Sequence, residues 1–191
     1  AKDGSTYKNL SFPMHIPGQP DKCVGLEERG YPRKDGSARK GMAIGTNASE
    51  GLWMASPKKT ALQDARIVLV FESAYDAMAF YQLQMRKESG LDQRGRQDLK
   101  AGVYVSTGGN PSYGQIQGLL KAAPQATFHL GFDKDVAGKQ FVANFEDIAS
   151  KQSPVAPGNV PADMRAFMES FDKQPMTIKE LLSFNDDNYS L

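Results

Sequence analysis

The chain has 191 residues, 40% apolar and 24% charged, enough for one good core or for a core of about 120 residues with a smaller attached lobe. Lys plus Arg number 23 against 22 Asp plus Glu, so net charge points to no partner and any charge argument must be local. No apolar run approaches the roughly 18 residues of a membrane span, which argues against a membrane partner, and the apolar content argues against disorder.

Residues 1–60 are dense in turn formers, among them Pro13, Pro17, Pro20, Gly18, Gly25, Gly41, Gly45 and Gly51. Between them lie short apolar or alternating runs at 12–16, 24–28, 41–44 and 52–55, which predict a small β-meander, an N-terminal β-rich lobe. Trp53, the only tryptophan, is expected to anchor its packing. Basic residues crowd here: Lys22, Arg29, Arg33, Lys34, Arg39, Lys40, Lys58 and Lys59. They form either a solvated loop face or a phosphate-tracking patch. The single cysteine, Cys23, excludes an internal disulfide and any multi-cysteine zinc site. With no targeting segment visible at Ala1-Lys2-Asp3, the expectation is a reducing, cytoplasmic setting, and the missing initiator methionine suggests a piece excised from a longer protein.

From residue 61 the pattern changes to alternating strands and helices. The unbroken run Ile67-Val68-Leu69-Val70-Phe71 predicts a strand covered on both faces, and it stops on Glu72, with Ser73 placed to cap a helix over 74–87 and Asp76 in that helix's first turn. A polar segment at 87–100 reads as an exposed loop or a frayed extension of that helix. A strand at 102–106 leads through Thr107-Gly108-Gly109 to a helix at 113–123. A third strand at 127–132 ends on Asp133-Lys134-Asp135, with Gly138 where the backbone must turn into a helix over 137–150. This order predicts an α/β domain at 61–150 with a parallel sheet flanked by helices. Residues 151–191 read as a Pro/Gly-rich connector and short helices, the last with a capping box from Thr177 to Glu180.

In open α/β sheets the carboxyl edge is where ligands bind, and here it receives acids from two strands. Oxygen-only ligands such as Asp133 and Asp135 suit Mg²⁺ or Mn²⁺; the alternative is a pair of acids capping the next helix. An EF-hand starting at Asp133 fails, since Ala137 and Asn144 occupy ligand positions. A haloacid-dehalogenase-type phosphatase fits Asp133-Lys134-Asp135-Val136 but would need this motif at the start of the fold. A dinucleotide-binding unit would need a glycine fingerprint where Glu72-Ser73-Ala74 stands. Strands 66–71 and 127–132 are expected side by side or one strand apart, so that Glu72 and Asp133 share a cleft.

The combination of Glu72 through Asp76, then Ser106-Thr107-Gly108-Gly109, then Asp133-Lys134-Asp135-Val136-Ala137-Gly138 resembles the Toprim domain, over roughly residues 64–140. Glu72 with Asp76 resembles the primase form of the first motif, and Val24 to Arg29 resembles the strand that precedes Toprim in primase cores. The resemblance implies a Toprim-like, Rossmann-like fold and a primase-like, Mg²⁺- or Mn²⁺-dependent nucleotidyltransferase within a larger replication or mobile-element protein. It implies Glu72, Asp133 and Asp135 as catalytic residues, with Asp76 joining them as metal ligands, and Arg29, Arg39 and Lys40 as the nucleic-acid-binding set. Single-stranded DNA or RNA template, nucleoside triphosphates and other domains of a longer parent are the partners implied. A Toprim nuclease, or a non-catalytic binding and assembly module on the same scaffold, is the alternative.

Overall fold

The computed structural model describes residues 9–30, 37, 40–86 and 89–152. The expected C-terminal helices, with the capping box at Thr177, lie outside the described residues. Two sheets organise the rest. The first is antiparallel, in the order β1-β2-β3, from β1 (Asn9–Ile16), β2 (Gln19–Gly30) and β3 (Lys40–Met42). Pro17 and Gly18 make the two-residue hairpin between β1 and β2, and Gly18 takes φ 76°, as the second central position of a proline-led turn requires.

The second sheet has four strands in the order β4-β6-β5-β7: β4 (Trp53–Ala55), β5 (Ile67–Phe71), β6 (Val103–Ser106) and β7 (Thr127–Gly131). The strands β5, β6 and β7 run parallel, while β4 pairs antiparallel with β6 at one edge. The run at 52–55, expected in the N-terminal meander, thus supplies an edge strand to the α/β sheet. It stays tied to β1, because His15 and Leu52 exchange backbone hydrogen bonds of 2.8 and 2.9 Å.

Helices cover both faces, as the unbroken apolar run of β5 predicts. On one side Leu69, Phe71 and Tyr104 pack with Ala77 and Phe80 of α1 (Ala74–Met85) and Leu99 of α2 (Gln93–Ala101). On the other, Val68, Val70, Val103 and Val105 pack with Ile116 and Leu119 of α3 (Tyr113–Ala122) and Phe145 and Ile148 of α4 (Val136–Gln152). Period-two alternation along β5 sends successive side chains to the two cores. The segment at 87–100 differs from its expectation as a loop or a frayed extension of α1, since a separate helix, α2, takes up its second half. Asp92 caps this helix by accepting from Gly95 N–H at 2.7 Å. Among the described residues no helix is long and apolar enough to cross a membrane.

Candidate active site

Strand β5 hands the chain directly to α1 through Glu72 and Ser73. The Ser73 hydroxyl accepts from Asp76 N–H at 3.3 Å and donates to Asp76 Oδ2 at 2.6 Å, so Asp76 is held at the positive end of the helix. The backbone of Glu72 is fixed from the neighbouring strand, its carbonyl accepting from Gly109 N–H at 2.9 Å, with Ser106 Oγ 3.3 Å away. No hydrogen bond to another described residue engages its half-buried carboxylate.

The turn after β6 that grips Glu72 runs through two left-handed glycines, Gly108 at φ 71° and Gly109 at φ 130°. At Gly108 even the missing side chain matters: a Cβ there would lie 2.2 Å from Cε of Met42 on β3, so the N-terminal sheet closes onto this turn. The turn after β7 is equally tight. Asp135 Oδ1 accepts from Gly138 N–H at 2.8 Å and caps α4, while a Cβ on Gly138 would fall 1.8 Å from the carbonyl oxygen of Asp133. Only glycine lets the first turn of α4 fold down against Asp133.

Phe71 and Gly131 are register partners in β5 and β7, so Glu72 and Asp133 leave adjacent parallel strands at the same edge. The helix after β5 goes to one face and the helix after β7 to the other. Between two such strands the connections diverge and open a crevice at the carboxyl edge. This is the side-by-side arrangement, one of the two expected.

Over that edge lies the face of the first sheet that carries Glu27, Arg29, Lys40 and Met42. Arg29 and Lys40 are direct register partners, as are Glu27 and Met42. Glu27 is fully buried; Oε1 lies 2.6 Å from Arg29 Nη2, and Ser106 Oγ donates to Oε2 at 3.3 Å. Burial pushes the Glu27 carboxyl up, against the pull of Arg29, of the Ala74 backbone N–H and of Ser106. Phe12, on the same face, meets the ring of Tyr75 edge-on at 5.4 Å, next to Asp76.

A family model described as Toprim-like matches residues 69–164, just over half of the chain. The chain belongs to the Toprim-like family. No curated protein and no solved structure matches it. Toprim domains are generally metal-binding and related to nucleic acid. The matched region begins inside β5 and takes in Glu72, Asp76, the glycine turn, Asp133 and Asp135; Arg29 and Lys40 lie ahead of it.

Within the Toprim fold, Glu72, Asp76, Asp133 and Asp135 stand in the two adjacent strand-to-helix turns. Two of them have structural employment: Asp135 caps α4, and Asp76 is engaged by the cap of α1. Among the described residues no three acids, histidines or cysteines gather closely enough to hold a metal ion by themselves. The donor chemistry still fits Mg²⁺, which keeps several waters and leans on one or two carboxylates plus substrate phosphates. Of the basic set, Arg29 is paired and 11% exposed, Lys40 is exposed, and Arg39 lies outside the described residues. Sequence reasoning missed Glu27. The signal was available, because Glu27 and Arg29 are two apart on a strand and therefore share a face.

Proposed function

We propose that this Toprim protein is the core of a divalent-metal-dependent nucleotidyltransferase of primase type, working on single-stranded nucleic acid within a larger replication or mobilisation protein. The observation that carries the reading is the crevice between β5 and β7. It brings Glu72 and Asp133 to one edge under a sheet face bearing Arg29 and Lys40. Like charges directly opposite each other on a sheet are unfavourable, and among the described residues the buried Glu27 carboxylate pairs with Arg29. An anionic partner bound at this face would offset the exposed Lys40.

In this reading Glu72 and Asp133, assisted by Asp135 and Asp76, hold Mg²⁺ or Mn²⁺. The chemistry such a cation would supply at these carboxylates is neutralisation of the charge that develops in phosphoryl transfer. Arg29 and Lys40, with Arg39 of the same basic run, hold template or triphosphate through the phosphates. Gly108 and Gly109 keep the turn beside Glu72 low, and Gly138 keeps α4 close to Asp133. A non-catalytic module is the second reading, and the capping work of Asp135 and Asp76 favours it.

Substitution separates the two. Asn caps a helix about as well as Asp, so Asp133→Asn and Asp135→Asn proteins should fold with unchanged thermal midpoints. In the catalytic reading both lose metal-dependent nucleotide transfer or cleavage and bind single-stranded DNA at least as tightly, because a negative charge facing phosphate is gone. Wild-type protein that binds DNA but, with Mg²⁺ or Mn²⁺, neither extends nor cuts a labelled oligonucleotide would favour the module.

A further inference from the structure

Glu27 is the most deeply buried acid among the described residues and lies outside the motifs that mark the Toprim edge. Its carboxylate joins β2 to β6: it pairs with Arg29 two residues on in β2 and receives the Ser106 hydroxyl at the end of β6, while the backbone N–H of Ala74 at the start of α1 pulls its pKa down. Ser106 in turn contacts the carbonyl of Glu72, and its oxygen accepts from Gly108 N–H at 3.1 Å. A buried ion pair is a poor device for stability, since well-packed apolar residues of the same volume usually serve as well or better. What such a pair does provide is a fixed direction for a guanidinium. Arg29 Nη2 lies 2.6 Å from Glu27 Oε1 and Nη1 lies 3.5 Å from the carbonyl of Glu28, so both arms of the head group have a neighbour, while the side chain keeps 11% of its surface exposed.

We propose that Glu27 is a positioning residue that locks the Arg29 guanidinium as a preset phosphate fork at the rim of the acidic edge. The proposal rests on the reading of Arg29 as a phosphate contact. Its consequence for binding has a diagnostic sign. Removing a carboxylate from beside a phosphate-binding surface should, by charge alone, tighten binding. If Glu27 positions Arg29, removing its charge weakens binding instead.

The experiment measures the affinity of the full chain for a labelled single-stranded oligonucleotide across a salt series, without added metal, for wild type, Arg29→Ala, Glu27→Gln, the double variant and Arg29→Lys. Glu27→Gln keeps an acceptor for Ser106 and should weaken binding roughly fivefold while lowering the salt slope by up to about one. The double variant should bind no more weakly than Arg29→Ala alone, since Glu27 acts through Arg29. Arg29→Lys retains the charge and loses the planar fork, so affinity should fall with the salt slope kept. This variant tests the proposal even if Glu27→Gln does not fold. Folded Glu27→Gln protein that binds as tightly as wild type or tighter, while Arg29→Ala binds weakly, overturns the proposal and leaves the nucleic-acid reading standing. Wild-type affinity in Arg29→Lys also overturns it, and an Arg29→Ala protein with unchanged affinity and slope overturns both.

Discussion

His129 shows how a residue's chemistry is set by the element beneath it. It lies in β7 opposite Leu69, on the α1 side of the sheet, buried, with no hydrogen-bond partner for Nδ1 among the described residues. Burial lowers its pKa from the ordinary 6.5, which favours the neutral ring in the folded chain. The unfolded chain therefore takes up the proton first as the pH falls. The stability linked to His129 is fully present above about pH 6.5 and is lost as the pH drops towards the lower folded-state value. Wild type should lose unfolding free energy relative to His129→Gln as the pH falls below about 6.5, by up to about 1.4 kcal/mol per pH unit, read from urea midpoints. Parallel pH profiles would show that His129 titrates alike in both states. Glu27 acts in the opposite sense: its raised folded-state value favours the folded chain below about pH 4.5, and that contribution is lost as the pH rises through the folded value. Glu72 and Asp133 were legible because each ends an apolar run. Glu27 was not, because Glu27-Glu28-Arg29 alternates like a solvated strand and only the contact with Ser106, 79 positions away, reveals the burial.

Elements were legible in proportion to how much of them is buried. β5, α1, β6, α3, β7 and α4 each present an apolar run or stripe to one or both of the two cores, and all lie within a few residues of their expected positions. Helix α2 offers only Leu99 to the core and carries Gly95 in its interior, so periodicity was silent, and Asp92 as its cap was the one usable sign. Strand β4 is three residues long, and so short a strand says nothing about which sheet it joins. Helix α3 owes its place to a polar residue. The buried Gln115 donates through Nε2 to Gly51 O at 2.7 Å and Thr107 O at 3.0 Å, and its Oε1 accepts from Ser112 N–H at 2.8 Å. All the roles of one amide are used to tie α3 to the β6 turn and to the segment entering β4. Gln115→Leu keeps the volume but leaves two buried carbonyls unsatisfied, and should cost about 3 kcal/mol in urea unfolding. A cost below about 1 kcal/mol would mean that water takes over these carbonyls.

At the scale of the whole molecule, the α/β sheet was predictable from strand and helix order, whereas the fit of the first sheet onto its carboxyl edge was not, because it depends on interdigitation. Met14 is fully buried, lies against Gly51 and comes close to Gly108; Phe12 meets Trp53 and Tyr75 edge-on. These contacts, with the His15–Leu52 pairing and the Glu27–Ser106 hydrogen bond, make the junction of the two sheets part of the core and leave no lubricated seam. The two sheets should therefore unfold as one unit. Trp53, the only tryptophan, stands at that junction, so its fluorescence reports the junction while far-ultraviolet circular dichroism reports mainly the helices. Both signals should share one urea midpoint, and Met14→Ala should shift both by the same amount, about 3 kcal/mol. Trp53 emission changing at lower urea than the helical signal would mean that the first sheet detaches separately. In that case the basic face would close over Glu72 and Asp133 as a movable jaw, and the register of Arg29 and Lys40 above the edge would describe only its closed state.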